Sequence, residues 1–215
     1  MKITQINLYH LSMPLRSPFV TSFGRVEARE CLLVEAFAGD WIGYGECVAD
    51  RDPGYSYETT GTAWHILQEF LIPAILGKEF SSPGEIQQHL AFARGHLMAK
   101  ASLEMAAWDL VGKQTGRSLQ TMLGGARSRV EVGVSVGLQD NPTTLVKTVA
   151  NYLQQGYTRI KIKIKPGRDL EDTQAVRQAF PTLRLQVDAN SAYTLENALA
   201  LRPLEAEISR RQQAE

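Results

Sequence analysis

The sequence has no excess of either charge: its 215 residues contain 23 Lys and Arg and 23 Asp and Glu, a formal net charge of +0. Without a basic excess there is no general attraction for phosphates, which argues against nucleic-acid binding. No apolar run approaches the roughly 18 residues that a membrane-spanning helix requires. The first residues, MKITQINLYH, interleave polar side chains and lack the apolar block of a signal peptide. We therefore expect a protein that binds neither nucleic acid nor membranes.

Cysteine and histidine are also scarce. The two cysteines, Cys31 and Cys47, lie in strand-like segments without the spacing of metal ligands, so we expect reduced thiols in a cytoplasmic protein. All four histidines precede Ser135, the serine of the segment GVSVG. That segment matches the nucleophile elbow G-x-S-x-G, but the elbow requires a base histidine later in the chain. The sequence therefore excludes a hydrolase of this type.

The composition, with 44% hydrophobic and 21% charged residues, is that of a folded enzyme rather than a disordered chain. Residues 1–125 are predicted to form an α+β domain. Its strands are expected at 2–12, 30–37 and 41–48, and its helices at 57–77, 84–94, 98–113 and within RSLQTMLGG. Pro73 is expected to kink or break the first helix. Pro14, Pro18 and Gly24 predict a long loop over 14–28, either functional or a plain surface connection.

After Gly125 strands and helices alternate. Strands are predicted within EVGVSVGL, TRIKIKI and LRLQVDAN, and helices over 141–156, 170–180 and from Thr194 onward. This alternation is typical of right-handed βαβ units on a parallel sheet. We therefore predict an α+β domain at 1–125 followed by the start of an α/β domain at 126–215.

The most informative segment is the strand predicted over residues 159–165. Strict alternation puts three lysines on one face, Lys161, Lys163 and Lys165, and three isoleucines on the other. An edge strand with a solvated lysine face is one interpretation. A strand between crossover helices is usually covered on both faces, which favours the interior mouth of a barrel instead. There, repulsion between neighbouring ammonium groups would lower a lysine pKa toward that of a general base.

A second candidate is the segment VDAN at the end of the third predicted strand. Asp188 and Asn190 share a face at the carboxyl end of the strand, where active sites of parallel barrels are built. A turn or capping residue is the alternative interpretation of Asp188. One carboxylate is not a metal site, because Mg²⁺ takes one or two carboxylates together with water or substrate oxygens.

Several segments occur in a fixed order along nearly the whole chain to about Leu201. They are PFVTSFG, GYGECV, LIPAILG, GHLMAKASLEMAAWDL, GVSVG, GYTRIKIKIKPG and LQVDANSAYTL. In this combination they resemble the enolase superfamily, and most closely its o-succinylbenzoate synthase / N-acylamino acid racemase family. The resemblance implies an α+β capping domain followed by the first three β/α units of a TIM-type (β/α) barrel.

The resemblance also implies roles for particular residues. Lys161 and Lys163 match the K-x-K pair of the family, with Lys163 as the proton-transferring residue and Lys165 offering a second register. Pro166-Gly167 favours the first register, and Asp188 matches the first ligand of a divalent ion, Mg²⁺ or alternatively Mn²⁺. The residues expected at the substrate are Ser135, Asn190, Phe19, Phe23 and Tyr55.

The activity implied is the Mg²⁺-dependent syn-dehydration of the cyclohexadiene carboxylate SHCHC to o-succinylbenzoate, for menaquinone synthesis. The implied partner is a small carboxylate substrate, and full-length relatives are expected to form homo-oligomers. An N-acylamino acid racemase on the same site is the alternative, because both reactions begin by removing a proton α to a carboxylate. The pairing of a Lys or His base with Mg²⁺ is an established feature of enolase-superfamily sites in general.

The sequence departs from the family in length. In the family, the remaining metal carboxylates and the opposing lysine come from the fourth to sixth barrel strands. A (β/α)₈ barrel alone takes about 250 residues, which is more than the 215 residues of the whole chain. The segment LRPLEAEISRRQQAE is polar and helix-like. We expect an N-terminal portion that is truncated or frameshifted and inert alone, and a non-catalytic remnant is a third interpretation. We also expect the apolar side of the three strands, including Ile160 and Leu185, to be only partly covered.

Overall fold

The computed structural model describes residues 1–209, which fall into two compact units. The first unit comprises Met1–Pro14 and Ala28–Arg127, and the second comprises Leu15–Glu27 and the described residues from Ser128 onward. No helix among the described residues is long and apolar enough to cross a membrane.

Three strands form the first sheet, in the order β1 (Gln5–Thr21), β2 (Gly24–Ala38) and β3 (Trp41–Cys47). The predicted loop over 14–28 is wrong, because β1 and β2 continue to a turn at Ser22-Phe23. Proline lacks the backbone N–H that donates a hydrogen bond to a neighbouring strand, so it is tolerated at a sheet edge. Since β1 is the edge strand of this order, Pro14 and Pro18 do not interrupt it.

The helices of the first unit follow the predicted segments, with shorter bounds except for α4, which extends beyond the predicted 98–113 at both ends. They are α1 (Thr60–Ile66), a π-helix (Leu67–Leu71), α2 (Ile72–Ile75), α3 (Glu85–His89), α4 (Leu97–Thr115) and α5 (Leu119–Met122). The predicted break at Pro73 takes the form of the π-helical turn that precedes it. Leu71 and Ile72 keep helical backbone angles, and the Ile72 N–H donates to the Leu67 carbonyl five residues back, so the chain passes Pro73 through a wider turn and not through a break.

The core of the first unit is built where α4 packs on β3. A Cβ at Gly43 would lie 2.0 Å from the carbonyl oxygen of Ala106, and one at Gly45 would lie 1.9 Å from that of Ser102. Only glycine allows this approach of helix to strand. The buried carboxylate of Glu58 accepts hydrogen bonds from the backbone N–H groups of Met98 and Ala99, and this caps the N-terminus of α4.

The second unit contains the predicted alternation of strands and helices. Its elements are β4 (Val134–Val136), α6 (Pro142–Gln154), β5 (Arg159–Lys163), α7 (Asp169–Ala179), β6 (Arg184–Asp188), a 3₁₀ helix (Leu195–Leu201) and α8 (Arg202–Ser209). The strands form a parallel sheet in the order β4-β5-β6. The predicted parallel sheet is therefore confirmed. The predicted helical tail is confirmed as far as Ser209, and its last six residues lie outside the described part.

The two faces of β5 differ as the alternation predicts. Ile160, Ile162 and Ile164 are at most 1% exposed, in a core that includes Val149 of α6 and Val176 of α7. The expectation that this apolar side is only partly covered is therefore wrong for the isoleucines, because flanking helices cover them. It is also wrong for Leu185 of β6, which is buried in the same core, whereas Val187 of β6 is only partly buried as expected.

Candidate active site

A cluster of charged side chains lies at the carboxyl ends of β5 and β6. Lys163 and Asp188 occupy paired positions of the two parallel strands. The Lys163 Nζ lies 2.8 Å from Asp188 Oδ2, and the Lys161 Nζ lies 3.0 Å from the same oxygen. One carboxylate therefore lies between two ammonium groups and offsets the repulsion expected between them.

The two lysines differ in burial. The side chain of Lys163 is 7% exposed, whereas that of Lys161 is 39% exposed. Lys163 also donates a 2.5 Å hydrogen bond to Asn190 Oδ1. A lysine this deeply buried requires partners for its charge, and Asp188 and Asn190 supply them. Lys165, the lysine of the second register, is exposed beyond the end of β5.

Asp188 is ionised at neutral pH. The hydrogen bond from Lys163 is the main cause that holds the pKa of this carboxyl well below its usual range. Hydrogen bonds from the Asn190 backbone and from Lys161 lower the pKa further, while partial burial opposes them. The cluster is thus a charged network rather than a neutral hydrogen-bonded one.

The backbone that follows β6 is a tight turn with left-handed residues. Asn190 has φ 48° and Ser191 has φ 59°, a region that non-glycine residues adopt at a cost in energy. The Asn190 N–H donates to Asp188 Oδ1 at 3.0 Å, and the Ala192 N–H donates to the Ala189 carbonyl at 3.1 Å. This turn is what brings the Asn190 amide oxygen back to Lys163.

The β1–β2 hairpin tip, defined here as residues 19–22, also reaches this cluster within the second unit. The ring centroid of Phe19 lies 5.9 Å from the Lys163 Nζ. The Ser22 hydroxyl donates to the Ala189 carbonyl at 2.8 Å, and the Leu138 N–H donates to the Val20 carbonyl at 2.9 Å. Sequence analysis missed Ser22, because 167 positions separate it from Ala189 and no local pattern links them.

The other residues predicted to contact a substrate are Ser135, Phe23 and Tyr55. Ser135 is exposed on β4 and pairs in register with Lys161, which in turn pairs with Gln186. Gln186 is therefore a polar side chain of this face that the sequence did not single out. Phe23 lies at the hairpin turn and is 58% exposed, and Tyr55 lies in the first unit and is 73% exposed. Contact of Phe23 and Tyr55 with a substrate stays a prediction.

An open groove runs along β6 beside the cluster. Its volume is about 580 Å³, and its polar lining consists of Lys161, Gln186, Asp188, Asn190 and Ser191. Cationic and amide groups thus line one wall of a space large enough for a small carboxylate.

The described residues do not by themselves fit a divalent metal ion. Within residues 1–209 no group of three His, Cys, Asp or Glu side chains is close enough to hold one. Asp188 is the carboxylate of the cluster, and two ammonium groups already occupy its Oδ2. A Mg²⁺ site requires further oxygen ligands.

Two sequence families match the chain. The family described as the mandelate racemase / muconate lactonizing enzyme N-terminal domain matches residues 3–124. The family described as the enolase C-terminal domain-like matches residues 144–207.

The curated relatives are similar along nearly the whole chain. The o-succinylbenzoate synthase of Geobacillus kaustophilus is 46% identical over 204 residues, which is 94% of this chain and 54% of that protein. The N-succinylamino acid racemase of Thermus thermophilus is 45% identical over 205 residues, 95% of this chain and 56% of that protein. The chain thus spans about half the length of the curated relatives it matches.

Solved structures agree in fold. An enolase superfamily member from Listeria innocua superposes with a TM-score of 0.90 at 39% identity, covering 97% of this chain and 56% of that one. A dipeptide epimerase from Enterococcus faecalis, solved with Mg and the dipeptide L-Leu-L-Tyr, gives a TM-score of 0.83 at 25% identity. It covers 96% of this chain and 58% of the epimerase.

Proposed function

The chain belongs to the mandelate racemase / muconate lactonizing enzyme family of the enolase superfamily, and from this we propose that it is the N-terminal half of an o-succinylbenzoate synthase. The whole enzyme would dehydrate SHCHC to o-succinylbenzoate for menaquinone synthesis. The observation that carries the proposal is the buried Lys163 paired with Asp188 at adjoining strand ends, in a chain 46% identical to a synthase.

The proposed division of the chain follows the family. Residues 1–125 form the capping domain and residues 126–215 form the partial barrel, with β4, β5 and β6 and their helices as its first three β/α units. The parallel order β4-β5-β6 supports this assignment. The family matches over 3–124 and 144–207 support the position of the boundary.

Lys163 is the proposed proton-transferring residue. Its Nζ takes the proton α to the substrate carboxylate, and the electrons of the C–H bond pass to the carboxylate as an ene-diolate. The C–O bond to the leaving hydroxyl then breaks, and Lys163 returns the proton on the same face so that water departs. The Nζ of Lys163 is engaged by Asp188 Oδ2 and Asn190 Oδ1 and is therefore not free to accept a substrate proton in this arrangement. These contacts must therefore loosen before catalysis.

The other residues are proposed to hold the substrate. Lys161 lies at the groove and 3.0 Å from Asp188, so its ammonium can pair with a substrate carboxylate. Asn190 and Ser135 would donate hydrogen bonds, while Phe19, Phe23 and Tyr55 would exclude water. The partner is a small carboxylate, and the whole enzyme would be a cytoplasmic homo-oligomer with both buried cysteines free.

Mg²⁺, or alternatively Mn²⁺, is the proposed cofactor of the whole enzyme, with Asp188 as one ligand. A superfamily structure solved with Mg supports the choice of ion. Because the described residues do not complete such a site, the remaining ligands must come from outside residues 1–209.

Two other functions are supported by specific observations. A racemase is supported by the Thermus thermophilus relative, which is 45% identical and thus as similar as the synthases. In that reaction the same proton is removed and a proton returns to the opposite face. A non-catalytic remnant is supported by the single carboxylate of the described cluster.

The test is a chimera in which residues 1–209 replace the matching half of the Geobacillus kaustophilus synthase. It is assayed with SHCHC and with an N-succinylamino acid, and Lys163→Ala in the same chimera is the control. Dehydration that Lys163→Ala abolishes supports the synthase. Racemisation without dehydration favours the alternative, and a folded chimera with neither activity favours the remnant.

A further inference from the structure

The hairpin tip defined above meets the end of the parallel sheet at three points. Ser22 donates its hydroxyl to the Ala189 carbonyl after β6, and Val20 accepts the Leu138 N–H after β4. Phe19 lies beside Lys163 of β5. The tip therefore contacts the carboxyl end of each of the three strands.

Gly137 makes room for this arrangement. A Cβ at Gly137 would lie 3.2 Å from the Val20 carbonyl oxygen, 3.3 Å from the Val20 nitrogen and 3.4 Å from Phe19 Cδ2. The two distances to Val20 are tighter than ordinary van der Waals contact, and the distance to Phe19 is at its lower limit. The backbone of the tip is thus packed directly on the backbone that follows β4.

The carbonyl of Ala189 is the point where the tip meets the charged cluster. It accepts two hydrogen bonds, from the Ser22 hydroxyl at 2.8 Å and from the Ala192 N–H at 3.1 Å. Ala189 stands between Asp188 and Asn190, whose side chains both contact Lys163. A left-handed residue such as Asn190 persists only where its surroundings hold it in place, and the bond from Ser22 is one such restraint.

We propose that Ser22 is a positioning residue of the Lys163 cluster. By donating to the Ala189 carbonyl, its hydroxyl fixes the turn that brings the Asn190 amide oxygen to Lys163, beside the Asp188 carboxylate at the end of β6. It does not touch the lysine itself. The inference rests on the proposed function only because this cluster is the proposed site. The experiment measures the geometry of the cluster and not turnover, so it can fail independently of the proposed function.

The test is amide hydrogen exchange in the 215-residue chain, comparing Ser22→Ala with three other chains. Ser22→Thr keeps the hydroxyl, Ser17→Ala removes an exposed hydroxyl from the same strand, and the unaltered chain is the reference. Loss of one hydrogen bond should speed exchange at the Asn190 and Ala192 amides about threefold to tenfold. Ser22→Thr should restore slow exchange, and Ser17→Ala should leave it unchanged.

The amide of Ile162, in the centre of β5, separates a local effect from a general one. If Ser22→Ala speeds exchange at Ile162 as much as at Ala192, the residue only stabilises the fold and the proposal is overturned. No change at Asn190 and Ala192, or failure of Ser22→Thr to restore exchange, also overturns it.

A second readout reports on the lysine. Phe19 lies near the Lys163 side chain, so its ring current should shift the Lys163 ε-methylene proton resonances, and Phe19→Leu identifies that contribution. In Ser22→Ala these resonances should move part of the way toward their positions in Phe19→Leu. Resonances that stay in place would show that Lys163 is positioned without Ser22.

Discussion

Lys163 and Asp188 face each other across directly paired positions of two parallel strands, with Nζ and Oδ2 2.8 Å apart. The pair lies at the strand ends, where the side chain of Lys163 is nearly buried and that of Asp188 is 27% exposed. Loss of the negative charge of Asp188 should therefore affect the stability of the fold.

Asp188→Asn should destabilise the chain at neutral pH, by roughly 1–3 kcal/mol for lost hydrogen bonds to charged groups. The substitution leaves the ammonium groups of Lys161 and Lys163 without their shared carboxylate. Chemical unfolding at pH 7 measures the effect. An equal loss from Asp140→Asn, on the exposed turn before α6, would show that the effect is not specific to the cluster.

The same carboxylate predicts a pH dependence of stability. Because the folded state holds the pKa of Asp188 below its usual value, its contribution is present above the unfolded pKa of about 3.9. That contribution is lost as the pH falls through the lower folded pKa. The difference in melting temperature between the parent chain and Asp188→Asn should therefore shrink below about pH 4. A difference that stays constant into strong acid would contradict the assignment.

Gly45 provides a stability prediction for the first unit. A Cβ there would lie 1.9 Å from a backbone oxygen of α4, which cannot move away as a side chain can. Gly45→Ala should cost about 3 kcal/mol or more. Gly61→Ala is the matched control, since Gly61 lies inside α1 and a Cβ there would meet its nearest neighbour at an ordinary 3.9 Å. Because Gly61 is the second residue of α1, alanine there should stabilise by less than the roughly 0.8–1 kcal/mol of a helix interior, so only the Gly45→Ala melt should shift strongly downward.

Sequence patterns predicted the second unit well for a local reason. Alternation of period two predicted which residues of β5 face the core, and the buried isoleucines follow from it. The pairing of Lys163 with Asp188 depends on the neighbouring strand and was not predicted. The resemblance to the enolase superfamily is confirmed by the family matches. What the sequence could not show depends on distant residues. Ser22 contacts Ala189 across 167 positions, and the long hairpin forms because β1 is an edge strand that accepts proline.

Lys163→Ala in the chimera described above should lower exchange of the substrate α-proton by about 10²–10⁴, the usual contribution of general acid–base catalysis. The matched control is Lys165→Ala, which removes an exposed lysine two residues further along and should leave exchange nearly unchanged. Deuterium incorporation followed by NMR measures the rate. The reverse order of effects would assign the base to Lys165 and to the second register.

The last prediction concerns the 215-residue chain by itself, which should bind Mg²⁺ only weakly and should not turn over SHCHC. Its described part has one carboxylate at the cluster, and two ammonium groups compete with any cation for that carboxylate. The Lys163 Nζ is also engaged by Asp188 and Asn190, so it is not free to accept a proton from a substrate. Isothermal titration of the chain with Mg²⁺ should give no saturation at millimolar concentrations, whereas the chimera should saturate and lose affinity on Asp188→Asn. Tight binding or measurable o-succinylbenzoate formation by the chain alone would show that residues 1–215 hold a more complete site than the one described.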